Sequence, residues 1–130
     1  MNSYALVTVG STLFDPLIQA VDSPAFVQKL KSMGLTGVHI QHGNGAYVVQ
    51  QIKSEPGFEV VVYRSTNEWA KEVGNASLVI GHAGAGTILD SLEQEKPIIV
   101  IANTKLMSNH QLDIAEVMVW KCQEYSCLIV

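Results

Sequence analysis

The sequence predicts an α/β domain with a parallel sheet covered by helices on both faces. Three observations lead there. Apolar runs rich in β-branched residues recur along the chain: Tyr4–Val9, Gly37–Gln41, Phe58–Tyr63, Ser77–Ile80 and Pro97–Ala102. They are continuous rather than alternating, as expected of strands buried on both faces. Segments with helical spacing or helix-start signals fall between most of them, which is the order of a Rossmann-like fold. At 130 residues, with 48% hydrophobic and 15% charged content, the chain reads as one folded domain over residues 1–130.

The elements follow in order. Tyr4–Val9 is the first strand and ends in the small polar turn Gly10-Ser11-Thr12. Asp15-Pro16 opens a short helix toward Ala20. Ser23-Pro24 starts the next, with serine as N-cap and proline in the first turn. Phe26, Val27, Leu30 and Met33 give it an apolar face, and Gly34 closes it. After the second strand, His42–Gly45 is a loop and Ala46–Glu55 is weakly patterned. Thr66 or Asn67 caps a helix to Val73, with Gly74 after it. Thr87–Glu95 is the helix after the fourth strand. Ser108 or Asn109 begins a last helix that passes Val117 and ends by Trp120. The terminal Cys127-Leu128-Ile129-Val130 is expected either to pack into a partner or to add an edge strand. It has the spacing of a prenylation signal but not a typical last residue.

Composition excludes several classes. Net charge is −4 with a single arginine, Arg64, and no basic stripe of the kind a nucleic-acid surface needs is visible. Two cysteines, Cys122 and Cys127, without a neighbouring histidine pair do not make a zinc site and read as free thiols in a reducing compartment. No basic, apolar leader and no run of about 20 apolar residues is present, so the expectation is a cytoplasmic chain without a transmembrane segment.

The segment Val79-Ile80-Gly81-His82-Ala83-Gly84-Ala85-Gly86-Thr87 carries the chemistry. Strand, small-residue turn and helix present backbone N–H groups and a helix N-terminus to phosphate. Glycine permits close approach of the backbone. The spacing is not that of the dinucleotide fingerprint, so the glycines alone also fit a tight strand–helix turn. His82 at the mouth and Asp90 eight residues later narrow the reading to a nucleotide diphosphate cradle. Ligands of open α/β sheets bind at the carboxyl ends of strands. The turns Gly10–Thr12, His82–Thr87 and Asn103–Gln111 all fall there. His39 and His42 read as structural or surface groups, and Arg64 as either a surface group or one reaching the crevice.

Three motifs resemble a known family: Val7-Thr8-Val9-Gly10-Ser11-Thr12-x-Phe14-Asp15, His82-Ala83-Gly84-Ala85-Gly86-Thr87, and Lys105-Leu106-Met107-Ser108-Asn109-His110-Gln111-Leu112. They resemble, over about residues 4–118, the small subunit of the eukaryotic UDP-N-acetylglucosamine transferase that extends dolichol-linked oligosaccharide. That family is related to the C-terminal half of the bacterial lipid II glycosyltransferase. The resemblance implies the donor-binding half of a GT-B glycosyltransferase, with UDP-N-acetylglucosamine as donor substrate and neither a cofactor nor an obligatory metal. It implies a membrane-anchored partner subunit holding dolichyl-diphosphate-N-acetylglucosamine, at the cytosolic face of the endoplasmic reticulum. The expected reaction is the second sugar addition, β1→4 with inversion.

By the same resemblance, His82 and the N–H groups of Gly84, Ala85, Gly86 and Thr87 face the diphosphate. Gly10, Ser11 and Thr12 close the phosphate site. Asp90 stands where relatives carry glutamate on the ribose hydroxyls. His110 and Gln111 match the pair that reads the sugar. Each has a plainer alternative: a structural His82, a solvated Asp90, and His110-Gln111 merely starting the last helix. No general base is evident, and the resemblance implies that it lies on the partner. From about residue 119 the chain departs from the family, which leaves partner docking open. The rival readings are a non-catalytic nucleotide-sugar-binding or regulatory domain and a purely structural interaction domain.

Overall fold

The computed structural model describes residues 3–10, 14–82, 85–101 and 127–129. Six parallel strands form one sheet: β1 Tyr4–Thr8, β2 Gly37–Gln41, β3 Glu59–Tyr63, β4 Leu78–His82, β5 Ile98–Ile101 and β6 Cys127–Ile129. Their spatial order is β3-β2-β1-β4-β5-β6. The doubly wound α/β expectation holds, with β6 as a sixth, edge strand in register with β5 (Ile99 beside Leu128).

The continuous apolar strands serve two cores. Side chains alternate along β1, so Ala5 and Val7 enter one core while Tyr4 and Leu6 enter the other. The first core adds Leu17, Ile18 and Val21 of helix α1 (Asp15–Val21) and Phe26 and Leu30 of α2 (Pro24–Ser32). The second adds Val73 of α3 (Trp69–Asn75), Val79, Ile98 and Val100. Helix α4 (Ala85–Glu93) packs beside α3 and β5.

Local signals set some boundaries. Ser23 caps α2, its hydroxyl accepting from Phe26 N at 3.2 Å, and Gly34 follows at φ +84°. Several boundaries differ from the sequence expectation, most by a single residue. β4 runs through Gly81 and His82 rather than ending at Ile80, because Gly81 pairs with both Thr8 and Val100. Helix α4 starts at Ala85 instead of Thr87. Helix α3 starts at Trp69, after a turn in which the Thr66 hydroxyl accepts from Glu68 N at 3.0 Å. Gly74 therefore lies inside that helix, not after it. The expected last helix, with its start at Ser108 or Asn109, lies outside the described residues.

The weakly patterned stretch 46–55 has no regular element before its isolated bridge at Glu55. A buried carboxylate holds it. Asp22, 3% exposed at the end of α1, accepts from Tyr47 Oη at 2.6 Å and from the backbone N–H groups of Gln50 (3.0 Å), Gln51 (2.9 Å) and Ile52 (3.1 Å). Burial pushes the Asp22 carboxyl up, but the four hydrogen bonds together outweigh it and hold the carboxyl below its usual range. The same bond raises the Tyr47 phenol.

A second polar knot lies under α3. The Tyr4 and His39 rings stack at 3.7 Å. Glu72 Oε1 lies 2.7 Å from His39 Nδ1 and accepts from Tyr63 Oη at 2.9 Å. Tyr4 Oη donates to the Glu72 carbonyl at 2.7 Å. His39 is thus structural, as one sequence reading had it. Burial and the Glu72 carboxylate push the Tyr4 phenol up to about 12 and raise Tyr63 as well. A phenol raised on folding contributes stability that is complete below the unfolded value near pH 10 and is lost as pH rises through the folded value. Alkaline titration should therefore show Tyr4 and Tyr63 ionising together with loss of the fold, above the range of a free phenol. Simultaneous ionisation of all four tyrosines at the free-phenol value, with circular dichroism unchanged, would refute this.

Candidate donor-nucleotide site

The sheet order reverses direction between β1 and β4, where chain connections diverge to the two edges. Such a switch point opens a crevice at the carboxyl ends of the strands. Thr8 pairs with Gly81, so the chain leaves the two central strands at neighbouring points, Gly10 and His82. Gly10 has φ +67°, a left-handed turn that glycine adopts without strain. His82 is the last residue of β4 rather than part of the loop, so the sheet fixes its backbone.

Three residues on, α4 begins at Ala85, with Gly86 and Thr87 in its first turn. The first N–H groups of a helix have no partner within it and carry partial positive charge. No acidic residue stands in the first turn of α4, so nothing of its own sequence there opposes an anion. Gly10, His82, Ala85, Gly86 and Thr87 thus gather by their backbone at one rim. Ser11, Thr12, Gly84, His110 and Gln111 lie outside the described residues.

Asp90 is partly buried on α4, and its Oδ2 accepts from Trp69 Nε1 at 2.8 Å. It is therefore not a freely solvated side chain. A carboxylate accepts at both oxygens, so the indole bond orients Asp90 and leaves capacity for a second donor. Arg64 is exposed and donates to Asn44 Oδ1 at 2.7 Å, linking the loops after β3 and β2. Among the described residues, the buried side-chain atoms Asp15 Oδ1 and His42 Nδ1 have no hydrogen-bond partner.

Sequence reasoning missed two residues at this end of the sheet. Trp69 carries no local signal for its role. Gln41 does carry one, a polar residue closing an apolar strand, and the structure leaves it only 4% exposed. Among the described residues no group of three or more His, Cys, Asp or Glu is placed to hold a metal. No helix among them is long and apolar enough to cross a membrane.

A doubly wound parallel sheet with a glycine turn, a strand-end histidine and a helix N-terminus at its switch point is the α/β architecture of a GT-B glycosyltransferase half. The chain belongs to the glycosyltransferase family 28 C-terminal domain family, whose model matches residues 4–129. It is 44% identical over 110 residues to the human UDP-N-acetylglucosamine transferase subunit ALG13, covering 85% of this chain. The chain spans only 10% of that human protein's length. An NMR solution structure of ALG13 superposes with a TM-score of 0.63 at 26% identity, covering 98% of this chain and 77% of that one. The glycosyltransferase of kitacinnamycin shares the fold, with a TM-score of 0.59 at 16% identity over 99% of this chain and 30% of that one.

Proposed function

We propose that this chain is the donor-binding subunit of a two-part transferase. It holds UDP-N-acetylglucosamine while a membrane-anchored partner presents dolichyl-diphosphate-N-acetylglucosamine. The sugar passes to the acceptor with inversion, forming the β1→4 linkage at the cytosolic face of the endoplasmic reticulum. The observation that carries the reading is the switch-point rim of Gly10, His82 and the α4 N-terminus, in a chain whose relatives are named UDP-N-acetylglucosamine transferase subunits.

The chemistry follows from charge. Negative charge grows on the departing UDP as the glycosidic bond breaks. Oriented N–H groups and a helix dipole at the diphosphate stabilise that charge more than they stabilise the bound donor. Asp90, oriented by Trp69, accepts from the ribose diol. His110 and Gln111 read the sugar hydroxyls, and Ser11, Thr12 and Gly84 complete the phosphate contacts.

The test is an NMR titration of the chain with UDP and UDP-N-acetylglucosamine beside His82→Ala. Amide shifts should concentrate at residues 10–12, 82–90 and 110–111, and the substitution should weaken binding about tenfold, the worth of one charge-assisted hydrogen bond. Saturable shifts elsewhere, or none with millimolar ligand, would sink the reading. In the second case the structural-domain alternative would take its place.

A further inference from the structure

We propose that Gln41 is a positioning residue that holds the Gly10 turn at the end of β1, on the rim of the diphosphate site; this rests on the donor-binding reading above. Gln41 is the last residue of β2 and is buried beneath the rim. Its Oε1 accepts from Val9 N at 3.2 Å, from Gly10 N at 3.1 Å and from the Thr8 hydroxyl. Its Nε2 donates to the Gly10 carbonyl at 2.8 Å and to the Arg64 carbonyl at 2.8 Å. One amide therefore grips Gly10 by both its N–H and its C=O. It also joins the ends of three strands, since Gly10 follows β1 and Arg64 follows β3.

The consequence is directional. Gly10 sits at φ +67°, a conformation that alone leaves a glycine free to swing. With N–H and C=O both held, the orientation of the Gly10 peptide groups is set before any ligand arrives. The N–H groups of Val9 and Gly10 turn inward to Gln41, so they are not the ones offered to the diphosphate. A buried primary amide costs free energy unless its groups are bonded, and here both Oε1 and Nε2 are engaged. An apolar residue of similar size would fill the space but leave the Gly10 peptide and the Arg64 carbonyl to find other partners. Sites loose by a fraction of an ångström bind poorly, which is what such a clamp prevents.

A merely structural glutamine would lower stability and weaken every ligand alike. A positioning glutamine acts on the phosphate portion of the ligand. The experiment compares UDP with uridine, by NMR titration, on the wild-type chain, Gln41→Leu and Gln41→Glu. For Gln41→Leu the UDP affinity should fall about tenfold while the uridine affinity stays within about twofold. Gln41→Glu keeps the acceptor for the Val9 and Gly10 amides but, ionised, turns a carboxylate toward two carbonyls. It should lose part of the UDP preference and regain it relative to wild type as acid protonates the carboxyl, which can then donate. If Gln41→Leu does not fold, Gln41→Glu decides the matter alone. Equal losses for UDP and uridine, or an unchanged UDP-to-uridine ratio in the variants, would overturn the role of Gln41 and leave the donor site standing. A wild-type chain that binds neither ligand would remove the donor reading and this inference with it.

Discussion

Asp22→Ala is expected to destabilise the chain by roughly 3–5 kcal/mol, because it strands one phenol and three backbone N–H groups that now share a buried carboxylate. For a domain of 130 residues that corresponds to a fall of about 11–18 °C in Tm. The loss is a large share of the ~5–15 kcal/mol that holds a domain folded. Its mechanism is specific, since Tyr47, Gln50, Gln51 and Ile52 belong to a stretch that Asp22 reaches from 25 to 30 residues away. Local unfolding should begin there, with early amide exchange at 50–52. Asp22→Asn keeps one oxygen acceptor but directs an NH₂ group at donors, so its loss should be intermediate.

The sign of the pH effect follows from the depressed Asp22 carboxyl. Its contribution is present above the unfolded aspartate value near pH 4 and disappears as pH falls through the lower folded value. Wild type should therefore lose stability below about pH 4 more steeply than Asp22→Asn does. Denaturant unfolding at neutral and acid pH measures both effects. A loss under about 1 kcal/mol for Asp22→Ala, well below the range for an unpaired buried network, would refute the assignment.

What the sequence made legible depended on the range of the interactions involved. The start of α2 could be read because Ser23, Pro24 and Phe26 settle it within four residues. The end of β4 could not, because Gly81 and His82 join the sheet through partners on β1 and β5. Neither partner is near in sequence. The 46–55 stretch looked patternless because its order comes from one carboxylate on α1 rather than from its own periodicity. The site divides in the same way. Gly10 and the His82–Thr87 segment were visible as strand–turn–helix signals, and the fold brings their ends side by side. Trp69 was not, since its role rests on a contact 21 residues away, and Gln41 showed only as a polar residue closing an apolar strand, its partner Gly10 lying 31 residues away. Asp90 was selected by its position on a helix, but its bond to Trp69 could come only from the packing of α3 against α4.

The largest effect expected is on turnover: with UDP-N-acetylglucosamine and a dolichol-type acceptor, this chain alone should run at least about a thousandfold slower than the same chain with its acceptor-binding partner. The matched family is that of a C-terminal domain, and the relatives are named subunits, so each description implies another part. On the donor-subunit reading proposed above, the crevice supplies only half of what the reaction needs. Inverting transfer also requires an acceptor hydroxyl aligned opposite the leaving UDP and a base to take its proton. Alignment of two reactants contributes effective molarities of about 10⁵ or more, and a positioned base contributes about 10²–10⁴. Among the described residues, Asp90 is the acid of α4 that faces α3, and it is already bonded to Trp69. As a ribose ligand it would stand away from the acceptor oxygen. Donor binding and turnover should consequently separate: UDP affinity should stay within about tenfold on adding the partner, while product formation rises by orders of magnitude. The measurement is radiolabelled sugar transfer by the chain with and without partner-containing membranes, beside UDP titration of the same preparation. Turnover by the isolated chain within about tenfold of the complex would show that the base and the acceptor site lie in this chain, and the division of labour proposed above would be wrong.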